Sequence, residues 1–416
     1  MTRYNTHTLE NGLRIIHLPS ASQVVWCGYD LAVGSRHEQP GEEGLAHFCE
    51  HMTFKGTERR SALQVINDLE SVGGELNAFT NKEDTVFYAA VTKEHFQKAV
   101  NLLTDIVFHS QYPQQEIDKE VEVICDEIES YNDSPAELIY DEFENLLFQD
   151  HPLGHNILGT ADRVRSFKTA DALRFVRRYY RPENAVFFVY GDVEFKKLVN
   201  RSWSEECGVR SENSSSTDNT LQSNLTPHST LLTPQKEYTL DHNTHQAHVM
   251  IGTRAYRYDD PRRMTLYLLN NILGGPGMNA RLNLSLRERH GLVYTVESAM
   301  TAYSDTGVWS AYFGCDHHDV KRCLRLVRRE LDRMILRPLS ASQLSAAKRQ
   351  LKGQIAIACD NREQFALDFG RNYLHHGHER DLDVLFRKID AVTAEDIQKV
   401  AGELFPADNL TTLIIK

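Results

Sequence analysis

Two short stretches of this sequence carry residue types at spacings that could do chemistry. In His47-Phe48-Cys49-Glu50-His51 the two histidines stand four apart. On an α-helix, positions i and i+4 lie one turn apart on one face, so both imidazoles can present a nitrogen to a single metal ion. Glu50, at i+3 from His47, points to nearly the same face and is suited to accept a proton from water beside such an ion. The pattern is short and the chain holds 19 histidines, so two helical histidines with no metal would read the same way. It needs a third ligand.

The second stretch, Glu116 to Glu129, supplies candidates. Glu120 and Glu127 are seven apart, two helical turns, and so face the same way while Ile117, Val121 and Ile124 cover a neighbouring apolar stripe. One carboxylate could ligate and the other stand behind it; a plain helix with solvated acids would carry the same composition. The order His-x-x-Glu-His is the reverse of the zincin helix and is itself a recorded catalytic signature.

These helices must be held by a scaffold, and the bulk properties say which kind. At 416 residues the chain exceeds what one core organises, so two or more domains are expected. With 41% hydrophobic and 25% charged residues it is a globular composition. A formal net charge of −12 argues against nucleic acid as a partner, and an acidic cavity would favour basic substrates. No stretch approaches the roughly 20 apolar residues of a membrane span, and Met1 to Ser20 alternates polar and apolar positions, so neither export nor a membrane anchor is expected. Seven cysteines without paired spacing suit a reducing compartment, the cytoplasm or an organelle matrix.

One seam divides the chain. From Trp203 to about Leu232 apolar periodicity lapses, and Ser211 to Thr220 is a polar run unable to fill a core. This predicts a metal-binding domain over 1–202, a linker over 203–235 and a second domain over 236–416. The two sides share a plan. Thr169 to Val176 leads through Pro182 into the apolar run Ala185 to Tyr190, and Thr393 to Val400 leads through Pro406 into Leu410 to Ile415. Each reads as a capped helix, a proline turn and a closing strand, 224 positions apart. Within the first half, Asn11-Gly12 marks a turn, Leu9 to Leu18 and Val24 to Gly34 read as strands, and Gly44 to Phe54 as helix. Asn77 to Val91 alternates like one strand, and Ala99 to Phe108 and Gln115 to Ser130 return to helical spacing. The fold class expected is α+β, helices against a largely antiparallel sheet, used twice.

Met52-Thr-Phe-Lys-Gly-Thr57 after the histidine motif, and a glutamate 76 positions beyond His51, resemble the pitrilysin-type inverzincins, zinc peptidases, and within them the branch of mitochondrial and bacterial processing peptidases. The resemblance covers essentially the whole chain. It implies one Zn2+ per chain on His47, His51 and Glu127, with Glu50 as the base and Glu120 as the carboxylate behind a ligand. It implies two similar α/β-sandwich halves joined by a linker, closing as a clamshell-like dimer around peptide. Arg287 and Tyr294 match the segment that reaches the bound peptide in that family, where a cation and a phenol suit developing negative charge; read alone they are a solvated helix residue and a strand residue. Gly73 to Asn81 resembles the family's edge strand, which makes Asn77 and Ala78 candidate substrate contacts, though a plain turn and strand would look alike.

Two positions depart from the family pattern. Cys49 stands where leucine is common, and an exposed thiol beside Glu50 would confer sensitivity to thiol reagents. His290 replaces a basic residue of the Arg287 segment. The resemblance implies an endopeptidase acting on unfolded peptides or extended termini, as a homodimer or as a heterodimer with a metal-free related chain. A non-catalytic scaffold subunit is the other class of reading, and a structural zinc site a third; intact ligands and base weigh against both.

Overall fold

In the computed structural model, residues 4–201, 203, 207, 236–378 and 381–416 are described. The first half runs β1 (Asn5–Thr8), β2 (Arg14–Pro19), β3 (Val24–Leu31), α1 (Leu45–Thr53), α2 (Ala62–Glu70), β4 (Glu75–Thr80), β5 (Thr85–Thr92), α3 (Phe96–His109), α4 (Gln114–Asn132), α5 (Pro135–Leu147), α6 (Ala161–Ser166), α7 (Thr169–Tyr179), β6 (Ala185–Gly191) and α8 (Phe195–Val199). The second runs β7 (Lys236–Leu240), β8 (Ala247–Ala255), α9 (Arg263–Gly274), β9 (Val293–Ala302), β10 (Gly307–Cys315), α10 (Val320–Leu336), α11 (Ala341–Ala358), α12 (Arg362–His376), α13 (Leu382–Ala391), α14 (Ala394–Leu404) and β11 (Thr411–Ile415). None of the described helices is long and apolar enough to cross a membrane.

The halves are built alike. The first sheet has the order β1-β2-β6-β3-β5-β4 and the second β7-β11-β8-β10-β9. In each the closing strand runs parallel to an early strand, β6 beside β2 and β11 beside β7, and antiparallel to the next, β3 or β8. The lead-in helices end as their sequences dictate. Thr393 caps α14, its Oγ1 accepting from Asp396 N at 3.0 Å while the Asp396 carboxylate accepts from Thr393 N at 2.9 Å. In the first half the cap sits one residue earlier than Thr169: Lys168 N donates to Asp171 at 3.0 Å.

Three expectations change. The alternating run from Asn77 to Val91 is a hairpin, β4 and β5, because Asn81 and Asp84 close a turn in which Asn81 N donates to Asp84 O at 2.8 Å. The strand expected from Leu9 begins only at Arg14, since Leu9 to Leu13 form the turn after β1, with Gly12 at φ +85°. The boundaries at 202 and 236 do not describe the packing. Trp203 and Cys207 are buried in the first core; the rest of 203–235 lies outside the described residues.

Each compact unit also takes a helix from the other half of the sequence. The first comprises the described residues up to Ser130, those from Asp150 to Cys207, and Ile357–Leu382; the second holds Tyr131–Gln149, the described residues from 236 to Ala356, and Asp383–Lys416. The reason is visible in the strands. Leu31, Phe87, Phe187 and Val189 bury the face under α1, α3 and α4, while Ile16, Leu18, Val86, Val186 and Phe188 alternate to the opposite face. Strands apolar on both faces need cover on both. Ala366, Phe369 and Leu374 of α12 supply it, with Arg371 Nη2 paired to Asp84 at 3.0 Å and Tyr88 donating to Glu363 at 2.8 Å. In the second unit Phe143 of α5 lies on β8, its ring 3.1 Å from where a side chain on Gly252 would stand.

The fit of α12 is tight at Gly370, where an added Cβ would come within 2.6 Å of the Phe188 ring. Gly370→Val should lower unfolding stability by roughly 1–3 kcal/mol through overpacking, read as a reduced urea midpoint; an unchanged midpoint would show that α12 is free to retreat.

Candidate metal centre

α1 begins where its chain can enter only in one way. Gly44, at φ +93°, packs its Cα against Leu158 and Gly159 so closely that a Cβ would lie 2.7 Å from the Leu158 oxygen. The free N–H groups of the first turn are satisfied from a distance. The Glu38 carboxylate accepts from Gly44 N at 3.0 Å and Ala46 N at 2.7 Å, and from His155 Nε2 at 2.8 Å. Acid at a helix N-terminus is favoured by the backbone dipole as well. Burial pushes the Glu38 carboxyl up; the hydrogen bonds from His155, Ala46 and Gly44 work against that. Lys82 holds the loop carrying His155, donating to Leu153 O at 3.2 Å and to His155 O.

α1 so held presents His47 and His51, ring centroids 4.6 Å apart, toward Glu127 of α4. His47 Nε2 lies 3.8 Å from Glu127 Oε1 and His51 Nε2 lies 3.4 Å from Oε2. The 3.8 Å separation is too long for a hydrogen bond. Both suit donors sharing an ion, since ligands about 2.0–2.1 Å from a tetrahedral metal stand roughly 3.4 Å apart. One ligand atom from each residue falls within 4.8 Å of the others. Glu120, two turns before Glu127, accepts from His51 Nδ1 at 3.0 Å and pairs with Lys55 Nζ at 2.5 Å. That bond fixes the His51 ring with Nε2 facing Glu127.

The electrostatics of the group favour a cation. Burial and then the His51 charge hold His47 neutral. Burial also pulls against a charged His51, but hydrogen bonds to Glu120 and Glu127 push its pKa up to about 9. The hydrogen bond from His51 holds the Glu127 carboxyl low. Metal ligation requires both imidazoles neutral. Of Glu50, Glu120 and Glu127, only Glu120 is then paired with a lysine or arginine among the described residues, Lys55, leaving two negative charges for a dication to balance. A two-nitrogen, one-oxygen donor set with an open side, Glu127 being 44% exposed, fits zinc of the catalytic kind.

Glu50 is buried beside these residues, and Thr80 Oγ1 at the end of β4 donates to its Oε2 at 2.6 Å. Burial raises the Glu50 carboxyl above its ordinary range, against the pull of the Thr80 hydroxyl. The structure thus brings together His47, Glu50, His51, Glu120 and Glu127. Asn77 and Ala78 lie on β4, the outer strand of the first sheet. Arg287 and Tyr294 belong to the second unit, where the guanidinium lies 5.5 Å from the phenol ring centroid and Tyr294 is 83% exposed. Arg287 sits in a π-helical turn over Asn283–Glu288.

Sequence reasoning missed Glu38, His155, Lys55 and Thr80. Glu38 lies six residues before Gly44, outside any local capping pattern, and the other contacts are tertiary. Cys49 differs from expectation: its side chain is fully buried, burial pushes the thiol up, and the basis for sensitivity to thiol reagents is gone.

Removing the distant cap should be costly. Glu38→Ala leaves two helix donors unpaired and is expected to cost roughly 2–3 kcal/mol and to weaken zinc binding; equal stability and zinc affinity would show that α1 needs no such anchor.

Two family models match the chain. One described as Insulinase (Peptidase family M16) covers residues 15–161, and one described as Peptidase M16 inactive domain covers 166–351. An uncharacterized zinc protease of Bacillus subtilis is 32% identical over 98% of this chain and 97% of its own length. A protein of the same description from Streptomyces coelicolor is 33% identical over 95% and 86%. A crystal structure of a protease from Helicobacter pylori superposes with a TM-score of 0.90 at 21% identity, over 100% of this chain and 99% of that one, a likeness of fold. With both halves matched by that family's models and relatives aligned along nearly all of its length, this chain belongs to peptidase family M16.

Proposed function

We propose that the chain is a zinc metalloendopeptidase acting on unfolded peptides or extended termini, with His47, His51 and Glu127 as the metal ligands. The observation that carries this is the facing of two imidazole Nε2 atoms on both oxygens of one carboxylate, at 3.8 and 3.4 Å. When bound, zinc supplies Lewis acidity, making water more acidic and a carbonyl more electrophilic. The names of the relatives, zinc proteases, support the same reading.

The protein's own part is orientation and proton transfer. Thr80 occupies Glu50 Oε2, so Oε1 is the oxygen that takes a proton from the attacking water and returns it to the leaving amine. The raised Glu50 carboxyl moves toward the neutral range that suits such a role. Glu120 holds His51 in one tautomer through Nδ1. β4 offers an outer edge on which an extended peptide adds a strand, with Asn77 and Ala78 as its contacts. Arg287 and Tyr294 are assigned to substrate, and the working form is a dimer, a homodimer in the simpler case.

Glu50→Gln should keep one zinc per chain and abolish cleavage of a mixed, mildly basic peptide library, with wild-type activity lost to a chelator and restored by zinc. Turnover retained in Glu50→Gln would refute its role; silence from zinc-loaded, folded wild type would favour a scaffold or a missing partner chain. Thr80→Val should lower kcat roughly 10–100-fold with zinc content and KM unchanged, and Thr80→Ser should recover most of it; a change confined to KM would make Thr80 a substrate contact instead.

A further inference from the structure

α10 sets a local charge against that of the whole chain. Between Lys321 and Arg337 there are seven lysines and arginines and two acids, in a protein of net charge −12. An ordinary solvated helix face mixes signs and pairs them. Here both acids are already used. Asp332 takes Arg328 at 2.8 Å, and Glu330, buried, takes Arg333 at 2.7 Å. Lys321, Arg322, Arg325, Arg329 and Arg337 make no ion pair among the described residues.

Several of these cations line a cleft of about 700 Å³ within the second unit. Arg325 and Arg329 of α10 line it together with Arg337 just after the helix, as do Ile251 and Thr412 of the sheet and Leu410 just before β11. Leu336, 73% exposed, stands at the same wall, and among the described residues Glu237 is the one carboxylate there beyond the paired Asp332. Like cations held together without counter-ions repel one another, and a bound anion removes that cost. Among the described residues no aromatic side chain lines the cleft, so none of them offers the stacking platform on which single-stranded nucleic acid relies. Apolar positions interleaved with arginines instead match a strand that alternates acidic and apolar side chains. α10, at 17 residues, is about 26 Å long, the reach of roughly eight extended residues.

We propose that the cleft beside α10 docks an acidic, extended peptide segment of a partner protein. The site lies wholly in the second unit and needs no metal, so it stands or falls apart from the peptidase reading.

The test is fluorescence anisotropy of a labelled octapeptide alternating Glu and Leu, with the full chain in EDTA to prevent turnover. Binding in the micromolar range is expected, weakened at least about tenfold in the double variant Arg325→Glu, Arg329→Glu and again by raising salt from about 50 to about 500 mM. Arg325→Gln, Arg329→Gln guards against misfolding and should weaken binding less than the glutamate pair. The idea is overturned if the peptide does not bind, if both variants bind as wild type does, if a Lys-Leu octapeptide binds equally, or if a single-stranded oligonucleotide binds more tightly.

Discussion

Three carboxylates and two imidazoles crowded between α1 and α4 are stable only if something positive sits among them. Without a metal, His51 itself carries the charge, its pKa pushed up to about 9 by Glu120 and Glu127 after burial has pulled the other way. With a metal, both rings must be neutral, and the carboxylates outnumber Lys55 by two charges. The same requirement explains the surroundings. Glu120 ties one ring, Thr80 takes one oxygen of Glu50, and Glu38 fixes the helix bearing three of the five residues. Preorganisation of this kind is what lets a buried charged group act rather than merely destabilise.

The scaffold meets a second constraint. Strands apolar on both faces must be covered twice, and this chain covers the back of its first sheet with α12, more than a hundred residues beyond the end of β6. Only the first unit has the histidine motif; in the second, the one group of possible ligands among the described residues is Asp316, His318 and Asp319, two of them exposed and on one short stretch. A duplicated plan has thus diverged in charge as well as in chemistry, toward an acidic, metal-suited cluster in one unit and a cationic helix in the other.

Much of this was legible in the residues. The four-residue spacing of His47 and His51, the seven-residue spacing of Glu120 and Glu127, and the repeated helix, turn and strand at Thr169 and Thr393 are local patterns, and local patterns survive folding. Choosing Glu127 over Glu120 took the family resemblance, because both face the same way on α4; the distances to His47 and His51 separate them. The hairpin at Asn81 to Asp84 was hidden because the alternation of β4 continues into β5. Glu38, Thr80 and the docking of α12 rest on contacts between distant segments, to which periodicity is blind.

The most direct measurement is zinc K-edge absorption on the purified chain, with metal content, for wild type and Glu127→Gln. The account predicts one zinc per chain, two imidazole nitrogens and oxygen donors at about 2.0–2.1 Å, with affinity markedly lower in the variant. Sulfur at about 2.3 Å, or zinc held equally well without the Glu127 carboxylate, would contradict it.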